Sequence, residues 1–122
     1  MPLLAKRQER SIVPRMYYIT TAIDYTNGPP HIGHAYEKVL ADVLALRHRM
    51  KGEEDYYLTR VDQHGQKVQQ TAEKLGITPQ EHVNNITGQF LALWDRLGIS
   101  NDGWASTTDP RRKACVQKIR TG

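Results

Sequence analysis

Apolar and polar positions change their period several times along this chain, and each change marks a new element. Residues 16–22, from Met16 through Tyr17, Tyr18, Ile19, Thr20 and Thr21 to Ala22, are rich in aromatic and β-branched side chains. Turn formers follow, so the run reads as a buried strand. From Ile32 to Met50 the apolar positions Val39, Val43, Leu46 and Met50, with Leu40 and Leu44, recur at helical spacing, and Lys51-Gly52 closes the segment. Residues 55–61 predict a second strand. A short helix is expected from Gln66 to Leu75, ended by Gly76. Thr78-Pro79-Gln80-Glu81 has the form of a capping box with proline at the first helical position. Behind it Val83, Ile86, Phe90, Leu93 and Leu97, with Trp94, make an apolar stripe that reads as core, and Gly98 stops it. Trp104 to Thr107 fits a short third strand, and Asp109-Pro110 starts a last helix through Ala114, Cys115 and Ile119.

Strands alternating with helices imply right-handed crossovers and a parallel sheet. The expected class is therefore α/β. Two or three strands make only the first half of a Rossmann-like nucleotide-binding fold, so the fold is incomplete. A length of 122 residues allows at most one domain, and one Phe with 39% hydrophobic residues is thin material for a core. Residues 1–15 carry Lys6, Arg7, Arg10 and Arg15 and read as a basic extension; residues 16–122 form the partial domain. Glu9 and the lack of an apolar run there argue against a secretory signal. The net charge of +4 is mild and dispersed, which fits a solvated surface better than a nucleic-acid patch. The single Cys115 excludes an internal disulfide and a thiolate zinc knuckle within this chain. No apolar stretch approaches membrane length, and a cytoplasmic location without a membrane partner is expected.

Chemistry concentrates in His31-Ile32-Gly33-His34, just after the first strand and the turn Asn27-Gly28-Pro29-Pro30. There helix-terminal N–H groups and two imidazoles would sit beside a strand end, where phosphate is readily held. His31 and His34 are three apart and share a helix face, from which they can donate to a phosphoryl group as it transfers. Gly33 removes a side chain that would keep a flat base off the backbone. Two rival readings are surface histidines without a task and half of a metal site. The second lacks a third ligand in register. Asp62 falls at the carboxyl edge of the sheet, where a carboxylate can grip an ammonium; capping the next helix is the equally simple alternative. Asn85-Ile86-Thr87 spells a glycosylation sequon but lies inside a predicted helix, where chance is the better account.

Residues 16–110 resemble the amino-terminal part of the catalytic domain of bacterial-type methionyl-tRNA synthetases, which are class I aminoacyl-tRNA synthetases. The likeness is carried by residues 18–25, by 27–38 from Asn27 to Lys38, by Ala41-Asp42-Val43, by Asp62 with His64-Gly65-Gln66-Lys67-Val68, and by residues 93–99. It implies a ligase that joins methionine to ATP, releases pyrophosphate and passes the methionyl group to tRNA, with Mg2+ accompanying the nucleotide. By the same resemblance His31 and His34 are catalytic, His31, Gly33 and His34 bind ATP, and Ala22, Ile23, Tyr25 and Asp62 bind methionine. No metal-ligating residue is implied within the chain.

Departures from the family pattern are local and global. Where the family reads Gly-Thr-Asp-Glu-His-Gly, this chain has Arg60-Val61-Asp62-Gln63-His64-Gly65. Residues two apart on a strand face the same way, so Arg60 is expected to pair with Asp62 and compete with the substrate ammonium. No Lys-Met-Ser-Lys-Ser-like loop, inserted metal-binding segment, second half-sheet or helical anticodon-binding domain lies in these residues. Stabilising a transferring phosphoryl group takes several groups worth about 3–4 kcal/mol each. Little or no activation by this chain alone is therefore expected. The alternative is a non-catalytic truncated paralogue or remnant that binds ATP weakly or serves as an interaction module.

Overall fold

The computed structural model describes residues 16–121, so the basic extension over residues 1–15 lies outside the described residues. The chain runs β1 (Tyr17–Tyr25), α1 (Ile32–Met50), β2 (Asp55–Asp62), α2 (Gln66–Leu75), α3 (Pro79–Arg96), β3 (Gly103–Ser106) and α4 (Pro110–Thr121). All three strands are parallel in the order β1-β2-β3. The α/β class and the open, incomplete parallel sheet are as the alternation of elements predicts. The first strand continues three residues past the predicted Ala22, to Tyr25. Its register with β2 shifts between Thr20 and Ile23, so that Ile23 lies beside Arg60 and Tyr25 beside Asp62.

Local chemistry sets the helix limits. Thr78 accepts from the Glu81 N–H while Glu81 reaches back to the Thr78 N–H, so both ends of the capping box close around Pro79. Val61 of β2 packs with Ile86, Phe90 and Trp94 of α3, and Tyr57 packs with Ala41 and Ala45 of α1. Ile99 touches both groups and joins them into one core on one face of the sheet.

On α1 the structure selects a face that the apolar periodicity does not indicate. Lys38, Ala41, Asp42 and Ala45 point inward, whereas Val39, Leu40, Val43, Leu44, Leu46 and Met50 are 37–89% exposed. Two alanines let the helix approach the sheet closely, and the fully buried Tyr57 fills the space they leave. The inward polar groups are satisfied: the Asp42 carboxylate accepts from the Ser100 N–H at 2.7 Å and from its hydroxyl at 2.6 Å. At the far end of the helix, the Arg49 guanidinium donates to Asp55, Ser100 and Asp102, tying α1 to the start of β2 and to the loop before β3.

Candidate functional site

The carboxyl ends of β1 and β2 and the amino ends of α1 and α2 meet at one edge of the sheet. Thr26, fully buried just past β1, donates from its N–H (3.0 Å) and its hydroxyl (2.8 Å) to the Asp62 carbonyl and locks the two strand ends together. Asn27 is fixed from behind: its side-chain oxygen accepts from Thr71 of α2, and its carbonyl lies 3.2 Å from the buried His82 ring of α3. This brings the turn over residues 27–30 and the start of α1 back over the helical layer.

At that helix start His31 is the N-cap and His34 the third helical residue. The Gly33 N–H donates to His31 Nδ1 at 3.1 Å, and the His31 N–H donates to His34 Nδ1 at 3.1 Å. The rings lie 3.8 Å apart between centroids, and His34 is set edge-on to Phe90 at 4.9 Å. Bare N–H groups, expected here from the sequence, are thus covered: two of them end on imidazole nitrogens. Because both Nδ1 atoms accept, each neutral ring carries its proton on Nε2, away from the helix. Burial against Phe90 lowers the His34 pKa from its ordinary value, helped by neighbouring His31 and Lys38 and opposed by Asp24. Gly33 has a role beyond the one read from the sequence. A Cβ there would lie 2.9 Å from His31 Cε1, so glycine is what lets the His31 ring fold over the backbone. The space above Gly33 is therefore taken by an imidazole.

Asp62 ends β2. Its Oδ1 accepts from the His64 N–H at 3.1 Å and from the Thr107 hydroxyl at 3.1 Å. The N-cap of α2 is Gly65, so Asp62 orders the turn before the helix and does not cap it. Gly65 has φ +143°, and a Cβ on it would come within 2.1 Å of Tyr25 Oη, so the Tyr25 phenol rests directly on this glycine. Ala22 is exposed and donates its N–H to Glu37 Oε1 at 2.5 Å. Ile23 is 41% exposed and shares a cavity with Arg60.

The expected Arg60–Asp62 pair does not form. Arg60 lies one pleat back, between Ile23 and Ala105 in the ladder, while Asp62 is turned toward the N–H and hydroxyl of the residues that follow. Of the sequence-predicted residues, His31, Gly33 and His34 form one cluster and Tyr25 with Asp62 a second across the β1–β2 register. Among the described residues no hydrogen bond links the two clusters.

Lys38 and Asp24 escape a reading by motif. Both side chains are essentially unexposed, with Lys38 Nζ 3.0 and 2.9 Å from the two Asp24 carboxylate oxygens. Burial raises the Asp24 pKa, with Lys38 pulling the other way. The Lys38 ammonium also stands 5.8 Å from the Trp94 ring centre. The signal was spacing: Lys38 follows His34 by four and precedes Asp42 by four, on the face that points inward. The sequon has no structural support, since the Thr87 hydroxyl is buried in α3 and accepts from Gln63.

Among the described residues no group of three or more His, Cys, Asp or Glu could hold a metal ion, and no helix is long and apolar enough to cross a membrane. The chain is 48% identical over 105 residues to methionine–tRNA ligase 1 of Bacillus cereus and 48% identical over 103 residues to methionine–tRNA ligase of Bacillus subtilis, covering 86% and 84% of itself. It spans only 16% of either relative. In three dimensions it matches Mycobacterium tuberculosis methionyl-tRNA synthetase bound by methionyl-adenylate, with a TM-score of 0.76 and 38% identity over 79% of this chain and 19% of that one. The family described as tRNA synthetases class I (M) matches residues 17–121, and the chain belongs to it.

Proposed function

We propose that this chain is the part of a methionine–tRNA ligase catalytic domain that holds ATP and methionine for activation. Transfer of the methionyl group to tRNA, in the cytoplasm, belongs to the full-length enzyme. The observation that carries the reading is the reciprocal imidazole cap on α1. Each His Nδ1 takes a backbone N–H, which leaves Nε2–H as the outward donor and polarises it with the positive end of the helix. Two such donors can hold phosphate oxygens as negative charge builds on them, and burial, which lowers the His34 pKa, favours the neutral form of that ring. ATP supplies the electrophilic phosphorus, which the methionine carboxylate attacks, and pyrophosphate leaves. Asp62 still has Oδ2 free of any hydrogen bond among the described residues and would take the substrate ammonium. Ala22, Ile23 and Tyr25 would border the amino acid. Mg2+ would be held by the nucleotide's own phosphates, because no group of metal-ligating side chains for it occurs among the described residues.

Two histidines and one helix end supply only part of what phosphoryl transfer requires, so turnover by these 122 residues stays at background. Arg60 favours a second reading, a paralogue that binds nucleotide without activating methionine, because it lines the same cavity as Ile23. Equilibrium binding of ATP to the chain, paired with methionine-dependent ATP–pyrophosphate exchange, separates these. Weak ATP binding lost in His31→Ala and His34→Ala supports the nucleotide site. Binding that survives both substitutions removes it. Exchange above background would overturn the expected inactivity of the chain.

A further inference from the structure

The sheet face away from the α1–α3 core carries a cavity of about 360 Å3. Its apolar wall is Ile23, Leu58 and Ala105, and two guanidinium side chains reach it, Arg60 from β2 and Arg112 from α4. No carboxylate lines it. Arg60 Nε is shielded from solvent and has no hydrogen-bond partner, and neither arginine takes part in an ion pair among the described residues. The neighbouring Arg111 differs: it pairs with Asp109.

A guanidinium is always charged, and its fork of donors matches the two oxygens of a carboxylate or phosphate. A shielded and unsatisfied donor of this kind is an unmet demand for an acceptor. Apolar walls add preference for an apolar body behind the anionic head, and the volume lies at the small end of ligand pockets. We infer that this cavity binds a small amphiphilic oxyanion, an organic carboxylate or phosphate monoester, with Arg60 holding the head group and Arg112 closing over it. The cavity adjoins the proposed methionine site through Ile23, which lines it, whereas none of His31, Gly33, His34 and Asp62 does; the inference adds to that reading an anion-binding role for Arg60 and Arg112.

Titration of the chain, labelled with 15N in arginine, with hexanoate and with phenyl phosphate tests this. Hexylamine serves as the control of opposite charge. Either anion should shift the Arg60 Nε–H signal saturably, and hexylamine should not. The response to both anions identifies the oxyanion as the recognised group; a response to one alone narrows the site to that class. Arg60→Met should weaken binding at least tenfold and Arg112→Met severalfold. Arg112 is exposed, so its variant keeps the test alive if Arg60→Met does not fold. No arginine shift in the parent chain, or equal affinity in the folded arginine variants, overturns the proposal. ATP binding measured on the same Arg112→Met sample reports separately on the nucleotide site.

Discussion

At the scale of single residues, His34 combines several constraints. Its Nδ1 must be unprotonated to accept the His31 N–H, and its ring is pressed against Phe90. Both requirements disfavour the charged form, in keeping with the lowered pKa. A histidine whose folded pKa lies below its ordinary 6.5 binds a proton more weakly in the folded state. Its contribution to stability is therefore complete above the unfolded value and is lost as pH falls through 6.5 toward the folded one. The urea midpoint of the parent chain should drop between pH 7.5 and 5.5 by more than that of His34→Gln, which retains an acceptor but does not titrate there. Equal drops would show that groups other than His34 account for the acid sensitivity. The same neutral ring is the one required as an Nε2–H donor, so one protonation event would weaken the fold and remove the cap geometry together.

At the scale of elements, the sequence announces where helices and strands occur better than how they are turned. Thr78-Pro79-Gln80-Glu81, Gly76 and Gly98 mark ends by local chemistry, and all three act as read. On α1 the apolar side chains gave the period and concealed the orientation, because both faces repeat at helical spacing and the inward one is built from Lys38, Ala41, Asp42 and Ala45. The Asp24–Lys38 pair crosses from β1 to α1 and is invisible to any local pattern. Its role is to fix α1 against β1 directly below the His34 ring. Breaking a buried pair by removing one partner typically costs about 3–5 kcal/mol, since the remaining charge is left without compensation. Lys38→Met should lower the unfolding free energy by about that amount, and the double change Asp24→Asn with Lys38→Met should recover most of it. A single substitution that costs no more than an exposed ion pair would mean that the pair is hydrated and contributes little to α1 placement.

For the whole molecule the decisive feature is what the described core leaves uncovered. A parallel sheet normally has both faces buried. Here α1 and α3 cover one face, while Tyr18 at 57% and Ile23 at 41% exposure remain open on β1. The outer side of α1 adds Ile32, Tyr36, Val39, Leu40, Val43 and Met50, a continuous stripe in which Ile32 and Met50 exceed 85% exposure. The sequence disclosed the half-sheet through its count of strands, yet this surface emerged only once α1 was seen to turn its alanines inward. Exposed apolar area of this extent drives association, each buried Å2 contributing about 25 cal/mol. Sedimentation velocity on the isolated chain should therefore show a weight-average coefficient that rises with concentration. Leu40→Glu with Val43→Lys places opposite charges three residues apart, a spacing that supports the helix while breaking the stripe. That variant should sediment as a monomer at concentrations where the parent chain associates, with its circular dichroism unchanged. Identical sedimentation of the two would assign any association to the bare sheet face, where a charged substitution at Tyr18 would then be the change that abolishes it.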